Sequence, residues 1–207
     1  MSSPVPQAVL VDVEGVLRVW DAGEVAAIER RYGVPVGTVD AVALAPDRLG
    51  PALLGAVSDE QWRASVVAAL VPVCGDAASA IDLVADWSAR LGRVDEEAAG
   101  LVAEARTRVP VGFVVNGTTR LELDLVVLGL ADAADAVVSS ARVGVAEPAA
   151  AIYQLASGML GVAPQRCLYV GADPSHVAGA ERVGMTGHLY EGVGGLRKVL
   201  SGLLPDR

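Results

Sequence analysis

At Val111 this chain changes rhythm, and no other feature constrains its fold as tightly. Between Gly15 and Val111 the apolar residues recur at helical spacing. From Val111 onward short apolar runs alternate with helical stretches. Strands are predicted near 111–115, 136–138, 167–170 and 185–190, with helices near 119–129, 149–160, 175–183 and 193–203. Alternation of this kind predicts an α/β fold, a parallel sheet with helices on both faces. The run Val9-Leu10-Val11-Asp12-Val13 supplies one more strand to that sheet.

The segment before Val111 predicts four helices. The first covers Glu24 to Arg31. Ser58-Asp59-Glu60-Gln61 opens the second with a capping box, Ser at the cap and Gln three residues later. Its apolar face runs through Trp62, Val66, Val67 and Leu70, and Pro72 is expected to stop it. The third spans Asp76 to Arg90, with Ile81, Val84, Ala85 and Trp87 facing inward. The fourth begins at Asp95, where Asp95, Glu96 and Glu97 suit the positive end of a helix dipole.

Composition narrows the function classes. A chain of 207 residues that is 53% hydrophobic can bury a sizeable core, and with only 4% aromatics that core is aliphatic. A net charge of −9 argues against a nucleic-acid footprint and against docking on an anionic membrane. No apolar run reaches the ~18 residues of a membrane span, and the N-terminus lacks a basic segment before its apolar strand. Cys74 and Cys167 show no local metal spacing, and His176 and His188 are too isolated in sequence to suggest zinc. A cytoplasmic setting is the expectation. Gly192-Val193-Gly194-Gly195-Leu196-Arg197-Lys198 fits neither glycine fingerprint and reads as a turn into the last helix.

Chemistry is expected where the first strand ends. Asp12 and Glu14, two apart, are expected to project from one side of the strand end, and Gly15 releases the backbone into a turn. Open α/β sheets carry their sites at the carboxyl ends of strands.

Further blocks add to this: Val114-Val115-Asn116-Gly117-Thr118, Gly144-Val145-Ala146-Glu147-Pro148, and Gly171-Ala172-Asp173-Pro174-Ser175-His176. In order and hydrophobic framing the chain from Val9 to about Leu200 resembles the haloacid dehalogenase (HAD) superfamily, mostly phosphohydrolases. The resemblance implies a HAD-like Rossmannoid core over 1–17 and 94–207, with a helical cap over 18–93 that covers the site and holds Trp20, Trp62 and Trp87.

It also implies roles for residues. Asp12 stands at the nucleophile position and Glu14 at that of the acid–base. Glu14 is one methylene longer than the family's Asp, a displacement of a kind that can cost ~100-fold. Asn116 and Gly117 would bind substrate through backbone N–H groups. Four positions depart from the family pattern. Val115 replaces a hydroxyl donor, Glu147 replaces a Lys, Ala172 replaces a metal-ligating acid, and His176 replaces a later acid. At about 4 Å and an effective dielectric of about 20, one charge–charge interaction is worth about 4 kcal/mol, so Glu147 for Lys disfavours a phosphate dianion. Asp12 and Asp173 remain as candidate metal ligands, with Asp173 equally placed to cap the helix opening at Pro174. Mg²⁺ is therefore expected to be weakly held or absent.

The function this implies is a HAD-like protein whose phosphatase site is inactive or severely weakened, with a binding, regulatory or assembly role. Its partner would be a small phosphorylated molecule or a protein. The alternatives are a Mg²⁺-dependent small-molecule phosphatase with a rearranged site and, after it, a 2-haloacid dehalogenase.

Overall fold

The computed structural model describes residues 5–204. Its centre is a five-stranded, wholly parallel sheet in the order β5-β4-β1-β6-β7. The strands are β1 (Ala8–Asp12), β4 (Val111–Val115), β5 (Ala136–Ser139), β6 (Cys167–Gly171) and β7 (Thr186–Leu189). Strand β1 lies in the middle and is buried along its whole length. Its side chains divide between two cores as strand pleating requires. Val9 and Val11 join one cluster with Ala98, Leu101, Phe113 and Leu196. Ala8 and Leu10 join the other with Ile152, Tyr153, Val177 and Ala180.

Helices α6 (Glu96–Arg106), α7 (Leu121–Val127) and α11 (Val193–Val199) pack on the first face; α9 (Ala150–Met159) and α10 (Pro174–Arg182) pack on the second. Fully burying aliphatic side chains of this kind contributes about 1.5–3 kcal/mol each. The register sets Asp12 opposite Val114 of β4, and Val11 opposite Val170 of β6. Three strand ends therefore converge, carrying Asp12, Asn116 and the Ala172–Asp173 turn.

Helices α1 (Glu24–Arg31), α2 (Thr38–Ala43), α3 (Pro46–Leu53), α4 (Asp59–Cys74) and α5 (Ala77–Ala89) share a separate cluster around Val39, Trp62, Val66, Leu70, Leu83 and Trp87. The chain enters and leaves this block through a short antiparallel ribbon, β2 (Arg18–Val19) with β3 (Arg93–Val94). Fully buried Glu29 accepts from the N–H groups of Gly37 and Val39, both at 2.7 Å, and so satisfies the N-terminus of α2.

The helix expectations hold with corrections. The capping box forms, Ser58 accepting from Gln61 N–H while Gln61 accepts from Ser58 N–H. Pro72 does not stop α4. It lies in the last turn, where only one hydrogen bond is lost, and the helix ends at left-handed Gly75. Ile81 and Ala85 face solvent, and Ala80 and Leu83 are buried in their place. Helices α2 and α3 and the short α8 (Ser140–Val143) have no counterpart in the sequence reading.

Candidate functional site

Strand β1 stops at Asp12, so Glu14 lies beyond it, and the same-side geometry expected of a longer strand does not apply. The chain bends instead, and Glu14 N–H donates to Asp12 Oδ1 at 3.1 Å. Gly15 holds the bend with φ +75°; a Cβ there would lie 2.7 Å from Ala172 Cβ. Both oxygens of Glu14 are taken, Oε1 by Arg18 at 3.3 Å and Oε2 by Trp20 Nε1 at 2.8 Å. Burial pushes the Glu14 carboxyl above its ordinary range, against the pull of Arg18 and Trp20.

Asp12 is 4% exposed. Its second oxygen, Oδ2, lies 3.2 Å from His176 Nδ1. The same nitrogen lies 3.6 Å from Glu147 Oε2. His176 thus stands between two carboxylates, in the first turn of α10. Glu147 is held from behind: Tyr169 Oη donates to its Oε1 at 2.6 Å, and Asn116 pairs with its backbone in both directions, at 3.0 and 2.8 Å. Tyr153 Oη donates to the His176 carbonyl at 2.8 Å.

Burial and the neighbouring Asp12 charge push the Glu147 carboxyl up to about 8. Burial likewise raises Asp12, against the hydrogen bond from His176. For His176 burial opposes the charged ring, yet the bond to Asp12 and the charges of Glu147, Asp12 and Asp173 carry it above its ordinary value.

The remaining candidate positions fall as follows. Val115 is fully buried in the core and offers no donor. Gly117 N–H, expected to face an anion, donates to Ser140 Oγ at 3.1 Å, and the Asn116 amide is spent on Glu147. Ser140 has no role in the sequence analysis; it is buried as the first residue of α8, directly after β5, and the pair Ser139-Ser140 after an apolar run is the available signal. Asp173 is exposed and accepts from Ser175 N–H at 2.7 Å as the N-cap of α10. The Ser175 side chain, then its backbone N–H, holds the Asp173 carboxyl below the ordinary range.

These positions do not fit Mg²⁺. Ala172 brings no oxygen to its place beside Asp12, Asp173 is committed to the helix cap, and an imidazole suits a hard cation poorly. Among the described residues, one carboxylate–histidine group, Asp12, Glu147 and His176, brings its ligand atoms close enough together for a metal ion. The reading of both histidines as too isolated for a metal site is therefore corrected for His176, whose isolation is one of sequence alone.

A cavity of about 530 Å³ lies between the helical block and the strand ends. Glu14, Asn116, Gly117 and Thr118 line it from the core, and Trp20, Trp62 and Trp87 from the other side. Asp12 does not line it. Trp62 and Trp87 meet edge to face with centroids 5.7 Å apart, while Arg18 and Arg90 stack over Trp20 at 4.2 and 5.4 Å. Thr118 Oγ1 donates to Asp59 Oδ1 at 2.8 Å and ties α4 to the loop after β4. A larger cavity of about 750 Å³ opens at the other end of the sheet, beside Gln7, Cys167 and Thr186, away from these groups.

Comparison with known proteins decides the family. The profile described as haloacid dehalogenase-like hydrolase matches residues 6–184. The chain belongs to the haloacid dehalogenase-like hydrolases. Among solved HAD structures it is similar to a HAD family enzyme from Bacteroides thetaiotaomicron in complex with magnesium and inorganic phosphate. The identity is 15% over 90% of this chain and 94% of that one, with a TM-score of 0.70. A predicted HAD-like hydrolase from Porphyromonas gingivalis is 20% identical over 90% and 91% of the two chains, at TM-score 0.68. The L-2-haloacid dehalogenase of Xanthobacter autotrophicus is 26% identical over 87% and 76%, at TM-score 0.62. A comparison with curated proteins gives no significant match. The HAD membership and the parallel Rossmann-like sheet expected from the sequence are both found. No helix among the described residues is long and apolar enough to cross a membrane.

Proposed function

We propose that this HAD-like chain does not run the phosphatase reaction at an appreciable rate and acts by binding a small organic molecule between its helical block and its core. One observation carries the first half. His176 stands between Asp12 and Glu147, so Asp12 is paired with an imidazole and a buried acid occupies the place of the family's Lys. A phosphate dianion brought there meets two acids where relatives offer one cation. Glu14 is bound to Arg18 and Trp20 rather than free for acid–base work. Mg²⁺ affinity is weak, because Ala172 supplies no ligand. The acid at Glu147 weighs equally against the dehalogenase reaction, for which the resemblance implies the same Lys.

The second half rests on the cavity. Its 530 Å³ suits a small molecule, with tryptophan faces for apolar contact and Thr118, Arg90 and Glu14 as polar groups to orient it.

The test is phosphate release from a panel of simple esters, p-nitrophenyl phosphate among them, with and without Mg²⁺. Turnover should stay near background. Robust Mg²⁺-dependent turnover that disappears in Asp12→Asn would overturn the proposal in favour of a Mg²⁺-dependent phosphatase with a rearranged site.

A further inference from the structure

The cluster at the end of β1 has one demand that its own groups do not meet. Among the described residues Glu147 Oε2 has no hydrogen-bond partner, and its side chain is fully buried. It is aimed at His176 Nδ1, 3.6 Å away, while that nitrogen already lies 3.2 Å from Asp12 Oδ2. A ring nitrogen carries a single proton and serves one acceptor well, not two. Two carboxylate oxygens thus face one imidazole nitrogen, whose single N–H cannot serve both.

We propose that Asp12 Oδ2, Glu147 Oε2 and His176 Nδ1 form a binding site for a divalent ion of the Zn²⁺ type. One ligand atom from each of the three residues lies within 4.8 Å of the other two. Ligands held ~2.0–2.1 Å from a tetrahedral zinc ion sit about 3.4 Å apart. The separations of 3.2 and 3.6 Å bracket that spacing. A donor set of one imidazole and two carboxylates favours Zn²⁺ over Mg²⁺, which takes an all-oxygen shell. Three protein ligands leave a fourth position for water, as in zinc sites that stay open.

The surrounding groups hold the ligand atoms in place. Tyr169 Oη binds Glu147 through Oε1, and Glu14 N–H binds Asp12 through Oδ1, so each acid is fixed by the oxygen that does not face the ion. Tyr153 anchors the His176 backbone. Outer contacts of this sort orient metal ligands and set affinity. Ala172 and Asp173 take no part. The site also stands apart from the cavity under the helical block, which Asp12 does not line. The inference does not rest on the loss of phosphatase chemistry.

The test is calorimetric titration of the chelator-stripped chain with Zn²⁺ and, separately, with Mg²⁺. The wild type should take up one Zn²⁺ per chain, at least ~100-fold more tightly than Mg²⁺, given the donor set. Glu147→Gln and His176→Asn should each weaken Zn²⁺ by ~100-fold or more, and Tyr169→Phe by ~10–100-fold, as outer-contact losses do. Asp173→Asn should leave it unchanged. Co²⁺ in place of Zn²⁺ should show a visible band typical of tetrahedral N/O coordination that His176→Asn abolishes. Glu147→Gln keeps side-chain volume, so it carries the test should His176→Asn not fold. Absence of Zn²⁺ binding to the wild type overturns the site, as does an affinity that Glu147→Gln leaves intact or that Asp173→Asn abolishes. A wild type that binds no Zn²⁺ and turns over no phosphate ester refutes this site and leaves the proposed function standing.

Discussion

Glu147 and His176 are distant in sequence and 3.6 Å apart in space. The family resemblance implies a cation at the first position and an acid at the second. Here the first is an acid and the second a protonatable ring, so the signs are reversed while the opposition of charge is kept. Each departure alone would leave a buried charge unanswered, which is strongly destabilising. Together they answer one another across Asp12. A double-mutant cycle should expose this. Glu147→Lys alone sets a second cation against His176 and should lower stability, whereas Glu147→Lys with His176→Asp should recover part of the loss. The coupling energy read from urea unfolding should favour the pair by about 0.5–3 kcal/mol. Additive effects would mean that the two residues do not act as a unit.

What the sequence made legible at this scale follows from local geometry. Asp12, Asn116 and Glu147 sit at strand and loop ends whose framing is hydrophobic and periodic, so their convergence could be read. Asp173 as a helix cap before Pro174 could be read for the same reason. The seating of His176 between the acids could not, because it depends on how α10 packs against β6 and β7. Nor could the capture of Gly117 N–H by Ser140, which needs β5 in register beside β4.

Among elements, those with chemical punctuation were legible. Helix α4 opens on a reciprocal capping box and α6 on Asp95, whose side chain accepts from Ala98 N–H at 3.1 Å. Helices α2 and α3 are short, and neither has a side-chain cap. The start of α2 is set by a tertiary group, Glu29, which its own short window does not reveal, and α3 offers only Pro46 at its first position. The two-residue ribbon of β2 and β3 is too brief to show alternation. One contact between elements makes a pH prediction. Asp135 accepts from Arg106 at the end of α6 and from Val111 N–H at the start of β4, at 3.0 and 2.8 Å. The Arg106 hydrogen bond, then the backbone bond, holds its carboxyl below the ordinary value of 3.8. A folded pKa below the unfolded one stabilises the fold above the unfolded value and ceases to do so as pH falls through the folded one. Asp135→Asn should therefore be less stable than wild type at neutral pH, by a modest amount for so exposed a group. Thermal unfolding should show the gap closing as pH falls below that value. A gap that persists or widens in acid would mean the charge of Asp135 is not what joins α6 to β4.

The whole molecule separates a framework from its chemistry. The parallel sheet, its two apolar faces and the converging strand ends are those of a HAD-like hydrolase. They depend on burial and pleating, which substitutions at the strand ends leave alone. What the strand ends carry is independent of the fold and must be argued from the groups themselves. A rebuilt site should be convertible. Glu147→Lys, His176→Asp and Ala172→Asp together would return a cation beside Asp12 and two acids to the family's positions. The most direct measurement is calorimetric titration of inorganic phosphate, in the presence of Mg²⁺, into the wild type and this triple variant. The account predicts no binding tighter than about 1 mM in the wild type and measurable one-to-one binding in the variant. Sub-millimolar binding of phosphate to the wild type, lost in Asp12→Asn, would contradict it.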